Sequence, residues 1–186
     1  MRKILKVLLV TFLALVIFAA AGLSIVFLDV AAYTATSSQT LNPNVSSTGK
    51  ALVVYDPGLT SPAKNIAAKI ADDLQIQGYQ VELAGVKSNM ATANLTQYQV
   101  IVVGGPIYGS KAASSVQNFL AILNLNPDDQ AKIGVFGVGS FKTSNDQLYP
   151  LPSGSLLKIT YAFKIDTSEN ATAESNHFVT QLLGRT

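Results

Sequence analysis

The sequence predicts an open, doubly wound α/β sheet preceded by one membrane-spanning helix, and three observations carry that expectation. Ala51 to Tyr55, Val100 to Val103 and Ile133 to Phe136 are near-continuous apolar runs, the pattern of strands covered on both faces. Tyr79 to Leu83 and Leu157 to Ile165 instead alternate. Tyr79, Val81, Leu83, Leu157, Ile159, Tyr161, Phe163 and Ile165 interleave with Gln80, Glu82, Lys158 and Lys164, which marks half-exposed strands at the sheet edges. Helical spacing follows the first, third and fifth strands. Strands two and five outside, with one, three and four inside, fit a five-stranded parallel sheet of order 2-1-3-4-5, although other orders with the same edges fit the periodicity as well. Right-handed crossovers place helices on both faces and make a three-layer sandwich.

The chain begins with Arg2, Lys3 and Lys6, followed by the uncharged stretch Val7 to Leu28, broken only by Thr11, Gly22 and Ser24. As a helix this stretch reaches about 33 Å, enough for a hydrocarbon core of about 30 Å. Residues 1–30 are therefore expected to be a single-pass anchor. A cleaved secretory signal ending near Val30, Ala31 and Ala32 is the alternative, although the apolar region exceeds the roughly 7 to 15 residues of a signal core. The basic flank keeps the N-terminus in the cytoplasm, so the remainder is expected outside it in either case.

Residues 31–49 are rich in Ser, Thr and Asn, with one proline, and are expected to form a flexible linker reaching about 25 Å. Residues 50–186 form the folded domain. Asn44, Asn94 and Asn170 begin N-x-S/T triplets, sites for glycosylation in a secretory compartment. Within the domain, Pro62 to Gln77 is the best-signalled helix. Ser61 is expected to cap it, Pro62 suits its first position, Ile66, Ile70 and Leu74 make an apolar stripe, and Gly78 ends it. Ser114 to Leu123 and Ala171 to Leu183 are the other two helices. The crossovers over residues 86–97 and 139–155 lack helical spacing and are expected to be short or irregular.

Composition narrows the chemistry. Lys and Arg number 13 against 11 Asp and Glu, and Arg2, Lys3, Lys6 and Asp29 account for the whole difference, so the domain is neutral and has no footprint for nucleic acid. Cysteine is absent, which excludes disulfides, thiol chemistry and cysteine-ligated clusters. His177, the only histidine, falls in the last helix and is expected to be solvated, as are Asp72 with Asp73 and Asp128 with Asp129, so no metal site is expected. No G-x-S-x-G elbow and no Walker A loop occur, and Gly137, Val138, Gly139 runs on to Lys142 where a dinucleotide fingerprint requires glycine. A phosphoacceptor receiver domain is excluded because the third strand ends in Gly104 and Gly105.

Three strands empty into loops fit to line a ligand site. Tyr55 opens onto Asp56, Pro57, Gly58, Leu59, Thr60 and Ser61; Val103 opens onto Gly104, Gly105, Pro106, Ile107, Tyr108 and Gly109; Phe136 opens onto Gly137, Val138, Gly139, Ser140 and Phe141. In such sheets a ligand binds beyond the strand ends where the order reverses, here between the first and third strands. A phosphate would rest at the start of the first helix, where free N–H groups and the helix dipole favour an anion. The loops together suit a flat aromatic ligand carrying a phosphate.

These residues resemble the flavodoxin family over roughly Lys50 to Thr186. Leu59, Thr60, Ser61, Pro62, Ala63 and Lys64 resemble the loop with which flavodoxins cradle the phosphate of FMN. Gly105, Pro106, Ile107, Tyr108 and Gly109 resemble the family's Gly-Ser-Pro-x-Tyr-Gly loop beside the isoalloxazine ring, and Gly137 to Phe141, including Gly139, Ser140 and Phe141, is similar to the third loop. The resemblance implies a flavin stacked by Tyr108 and Phe141, an FMN cofactor, and electron transfer with a redox partner that the sequence does not identify. The chain departs from the family pattern in three places. Pro62 and Ala63 remove one amide donor and one hydroxyl, Asp56 is expected to bring a like charge towards the phosphate, and the fourth crossover lacks a clear helix. Two functions follow as expectations: a membrane-anchored FMN-binding electron carrier, or a flavodoxin-shaped domain without cofactor that serves as a binding or structural module at the cell surface.

Overall fold

The three apolar runs become the central strands of one sheet because each side chain in them finds a covered face: Leu52, Val53, Ile101, Val102 and Val135 have no exposed surface. The computed structural model describes residues 2–123, 131–139, 148–149, 151, 155, 157–166 and 171–185. Helix α1 (Arg2–Tyr33) is followed by β1 (Ser38–Leu41), β2 (Gly49–Tyr55), α2 (Pro62–Ile76) and β3 (Tyr79–Gly85). After two 3₁₀ turns, Asn89–Ala91 and Leu95–Gln97, come β4 (Val100–Tyr108), β5 (Lys111–Ala112), α3 (Ser114–Ile122), β6 (Lys132–Val138), β7 (Tyr161–Ile165) and α4 (Ala171–Leu183).

The parallel strands run β3-β2-β4-β6-β7, which is the expected 2-1-3-4-5. The sheet is larger than expected, with seven strands rather than five. β1 pairs antiparallel with β3, so β3 is not the edge, and β5 pairs antiparallel with β4. Ser38–Leu41 lies within the segment read as linker and has no apolar run to announce it. Its ladder to β3 orders it, helped by the Thr40 hydroxyl donating to Glu82 Oε1 at 2.8 Å. β7 takes the opposite edge, as its alternation predicts, but starts at Tyr161 rather than Leu157. Leu157 and Ile159 pack on one core and Tyr161 and Phe163 on the other, with a bend at Thr160 between them.

On one face, Ile66, Ile70 and Leu74 of α2 and Phe178 and Leu182 of α4 cover Val53, Val102 and Phe136. On the other, Val116, Phe119 and Leu120 of α3 cover Leu52, Val54, Ile101 and Val103. Each such side chain contributes about 1.5–3 kcal/mol by leaving water. Asp73, expected to be solvated, is half-buried between α2 and α4 and accepts from the Ser175 hydroxyl at 3.1 Å. Its carboxyl is held above its ordinary value of 3.8, chiefly by burial.

The glycines at the ends of β4 and β6 lie inside strands. Gly104 is paired with Phe136, and a Cβ on Gly104 would overlap the Phe136 ring. Gly137 likewise leaves room for Leu148 and Ile107. β4 consequently runs on through Tyr108 rather than ending at Val103, because these glycines admit large neighbours instead of breaking the strand.

The crossover from β3 to β4 is the short, irregular connection expected, while most of residues 139–155 lies outside the described residues. α1 contains a window, Lys6–Leu23, of mean hydropathy 2.4 with none of its residues buried, long and apolar enough to cross a membrane.

Candidate functional site

The loop after β2 is shaped by Asp56, which is 3% exposed. Its backbone N–H donates to Gly104 O at 2.9 Å, tying the loop to β4. Its Oδ1 accepts from the Gly58 N–H at 2.9 Å, and its Oδ2 accepts from the Ser115 hydroxyl at the start of α3. Room for this arrangement comes from Gly105, where a Cβ would lie 2.9 Å from both Asp56 Cβ and Val116 Cγ2. The Asp56 carboxylate is thus buried, engaged by two donors and outside the residues that line the crevice, rather than exposed beside the helix end. The spacing Asp56-Pro57-Gly58, an Asx-turn signature, was the available signal.

Ser61 also differs from expectation. Its φ of 62° and ψ of 9° are left-handed, and its side chain makes no capping bond. Pro62 disfavours right-handed geometry in the residue before it, so Ser61 cannot simply extend the helix backwards. The consequence is an open helix end. Asn65 N–H bonds to Ser61 O at 3.2 Å, Pro62 has no N–H, and the amides of Ala63 and Lys64 precede the first possible intrahelical partner. Thr60, Ser61 and Lys64 are exposed around it.

The second loop is a β-hairpin. Gly109 (φ 54°) and Ser110 (φ 70°) form a two-residue turn with positive φ at both positions, joining Tyr108 to its partner Lys111. The hairpin aims Tyr108 across to the first loop, where a Cβ on Gly58 would lie 3.0 Å from the Tyr108 hydroxyl and 2.9 Å from Pro106 Cγ. Burial raises the Tyr108 pKa above 10.0; the Leu59 backbone opposes that shift and the Asp56 charge adds to it.

The three strand ends enclose a crevice of about 360 Å³. Pro57, Gly58, Leu59, Thr60, Pro62 and Ala63 line it from the first loop, Pro106, Ile107 and Tyr108 from β4, and Val138 and Gly139 from β6. Of the residues singled out in the sequence, Leu59, Thr60, Ala63, Pro106, Ile107, Tyr108 and Gly139 meet here. Ser61, Lys64 and Gly109 stand outside the lining, and Ser140 and Phe141 lie outside the described residues. Pro57, Gly58, Pro62 and Val138, named in the sequence as members of these loops but not as cofactor contacts, complete the lining. His177 is exposed on α4, edge-on to Phe163 at 5.6 Å. Among the described residues no three His, Asp or Glu side chains gather.

This arrangement defines an α/β domain with a ligand-sized crevice at the carboxyl ends of its strands. Solved structures share the fold. Oxidised flavodoxin 2 from Bacillus cereus superposes with a TM-score of 0.54 at 17% identity, covering 73% of this chain and 98% of that one. A flavo di-iron protein from Thermotoga maritima gives 0.54 at 18% identity over 77% of this chain and 36% of that longer one. An NADH:FMN oxidoreductase in its apo form gives 0.50 at 13%, covering 75% and 91%. No protein-family model and no curated protein matches the sequence. The likeness is one of fold: the part of the chain that follows α1 has a flavodoxin-like fold.

Proposed function

We propose that the crevice binds FMN and that the protein is a membrane-anchored electron carrier. The observation that carries this reading is the convergence of an uncapped helix N-terminus and an aromatic hairpin on one crevice. Its volume of about 360 Å³ falls within the range of small-molecule and cofactor sites. The residues fit the group. At one end, the amides of Ala63 and Lys64, the hydroxyls of Thr60 and Ser61 and the Lys64 charge suit a phosphate. At the other, Pro106, Ile107, Tyr108 and Gly139 offer an apolar slot with one aromatic wall, completed in this reading by Ser140 and Phe141.

When bound, the flavin supplies the electron chemistry, and the protein binds, orients and shields it. Gly58 lets the loop pass beneath Tyr108, and Asp56 fixes that loop through Gly58 and Ser115. No side chain acts as acid or base. In this reading α1 is a single-pass anchor with its basic N-terminus in the cytoplasm and the domain outside; secretion after signal cleavage is the alternative location.

A second reading, a ligand-free binding or structural module, is favoured by two observations. Pro62 removes one amide donor from the helix end, and Tyr108 already rests on the first loop. Purifying the full chain in detergent with FMN present, then desalting, separates the two. Retained yellow absorbance at about one flavin per chain supports the first reading; colourless protein supports the second.

A further inference from the structure

The anchor enters the sheet at the crevice end. Between Tyr33, the last residue of α1, and Ser38, the first of β1, lie only Thr34 to Ser37. These residues dock on the carboxyl end of β3. Gly85 N–H donates to Ser37 O at 2.9 Å and Lys87 N–H to Ala35 O at 3.0 Å, while Ala35 is 4% exposed in the core. The Ala35 backbone occupies the space a Cβ on Gly85 would need. The Ser37 hydroxyl lies 3.3 Å from that of Tyr55, the last residue of β2 before the crevice loop. β1 then runs away from the crevice, antiparallel to β3.

The reach of this connection is short. From Leu28, the end of the apolar stretch, to Tyr33 the helix rises about 8 Å, and Thr34 to Ser37 fully extended add at most about 14 Å. A seven-residue strand alone measures about 23 Å. Ala35 and Ser37 are moreover held against β3, which leaves only Thr34 between them and α1, so the crevice end is the end nearer the lipid surface and the far end, where α2 finishes at Ile76, lies about a strand's length from that entry point. The exposed groups at the crevice end suit that position. Leu59 is 55% exposed, Lys64 and Lys111 are exposed, and the neighbouring Asp56 is buried.

We propose that the crevice mouth faces the bilayer holding α1, with its rim of Leu59, Lys64 and Lys111 seated on anionic lipid headgroups. The proposal rests on α1 being a retained membrane anchor. A partner that exchanges electrons or ligand through the mouth is then itself membrane-borne, because the mouth is turned away from the bulk solution.

The chain has no cysteine, so single reporters can be placed without background. Lys111→Cys and Thr60→Cys mark the two sides of the mouth, Ile76→Cys the far end and Leu15→Cys the anchor. Each full-length variant carries an NBD label in vesicles of phosphatidylglycerol and phosphatidylethanolamine containing headgroup spin-labelled lipid. Quenching at positions 60 and 111 is expected to exceed that at position 76 at least threefold. Equal or reversed quenching, with the Leu15→Cys label still quenched by acyl-chain spin labels, overturns the orientation alone. An unquenched Leu15→Cys label, or chains that do not float with the vesicles, overturns the anchor and this proposal with it.

Discussion

Gly58 lies directly beneath the hydroxyl of Tyr108: a Cβ added there would sit 3.0 Å from that oxygen and 2.9 Å from Pro106 Cγ. This approach joins the first loop to the hairpin and sets the width of the crevice between them. Gly58 also has a φ of 64°, so an alanine there meets backbone strain as well as a clash. Gly58→Ala is expected to lower stability by about 1–2 kcal/mol, the usual cost of a left-handed L-residue, and to weaken flavin binding. Urea unfolding followed by circular dichroism measures the first effect.

Ser61 offers the opposite case. It is left-handed and makes no capping bond, so its side chain contributes strain without a compensating contact. Ser61→Gly is expected to raise stability by about 1 kcal/mol. A Ser that capped α2 would instead lose a few tenths on that change, and the urea midpoint distinguishes the two.

Asp56 holds the first loop to α3 through Gly58 and Ser115. Asp56→Ala is expected to cost about 1.5–3 kcal/mol, since charge-assisted bonds are lost and their donors stranded. Asp56→Asn keeps an acceptor for Gly58 and is expected to cost less. Because the carboxylate is buried, held by two donors and outside the crevice lining, Asp56→Asn is expected to change FMN affinity by less than about twofold, whereas relief of a like charge beside the phosphate would tighten binding about tenfold. Fluorescence titration reads the difference.

Asp73 and Tyr108 give stability a pH dependence at both ends. Burial raises Asp73 above 3.8, so the folded state holds that proton more tightly than the unfolded chain does. Its favourable contribution is complete below pH 3.8 and is lost as pH rises through the higher folded value. Asp73→Asn, which keeps an acceptor for Ser175, is therefore expected to raise the melting temperature at pH 7 and to have no effect at pH 3. Tyr98, Tyr108 and Tyr161 are likewise raised above 10.0, first of all by burial. Their contribution is full below pH 10.0 and falls as pH climbs through their folded values, so melting temperature is expected to drop from there upward.

The strand order was legible because burial on two faces and on one face leave different patterns, as Val100 to Val103 and Tyr79 to Leu83 illustrate. Ser38–Leu41 was not, because an exposed edge strand held by backbone bonds needs no apolar residue. Gly104 and Gly137 looked like loop residues. Only the register reveals that their missing side chains admit Phe136 and Leu148. At the site, the convergence of three strand ends followed from topology, whereas the conformation of Ser61 and the burial of Asp56 depend on partners distant in sequence. Ser115 could not be paired with Asp56 by spacing alone.

Titrating the full-length protein in detergent with FMN and, separately, with riboflavin tests the central claim most directly. Saturable quenching of FMN fluorescence at one site per chain is expected, with binding of riboflavin at least about tenfold weaker, because the open end of α2 recognises the phosphate. Riboflavin binding as tight as FMN, or no quenching by either, would contradict it.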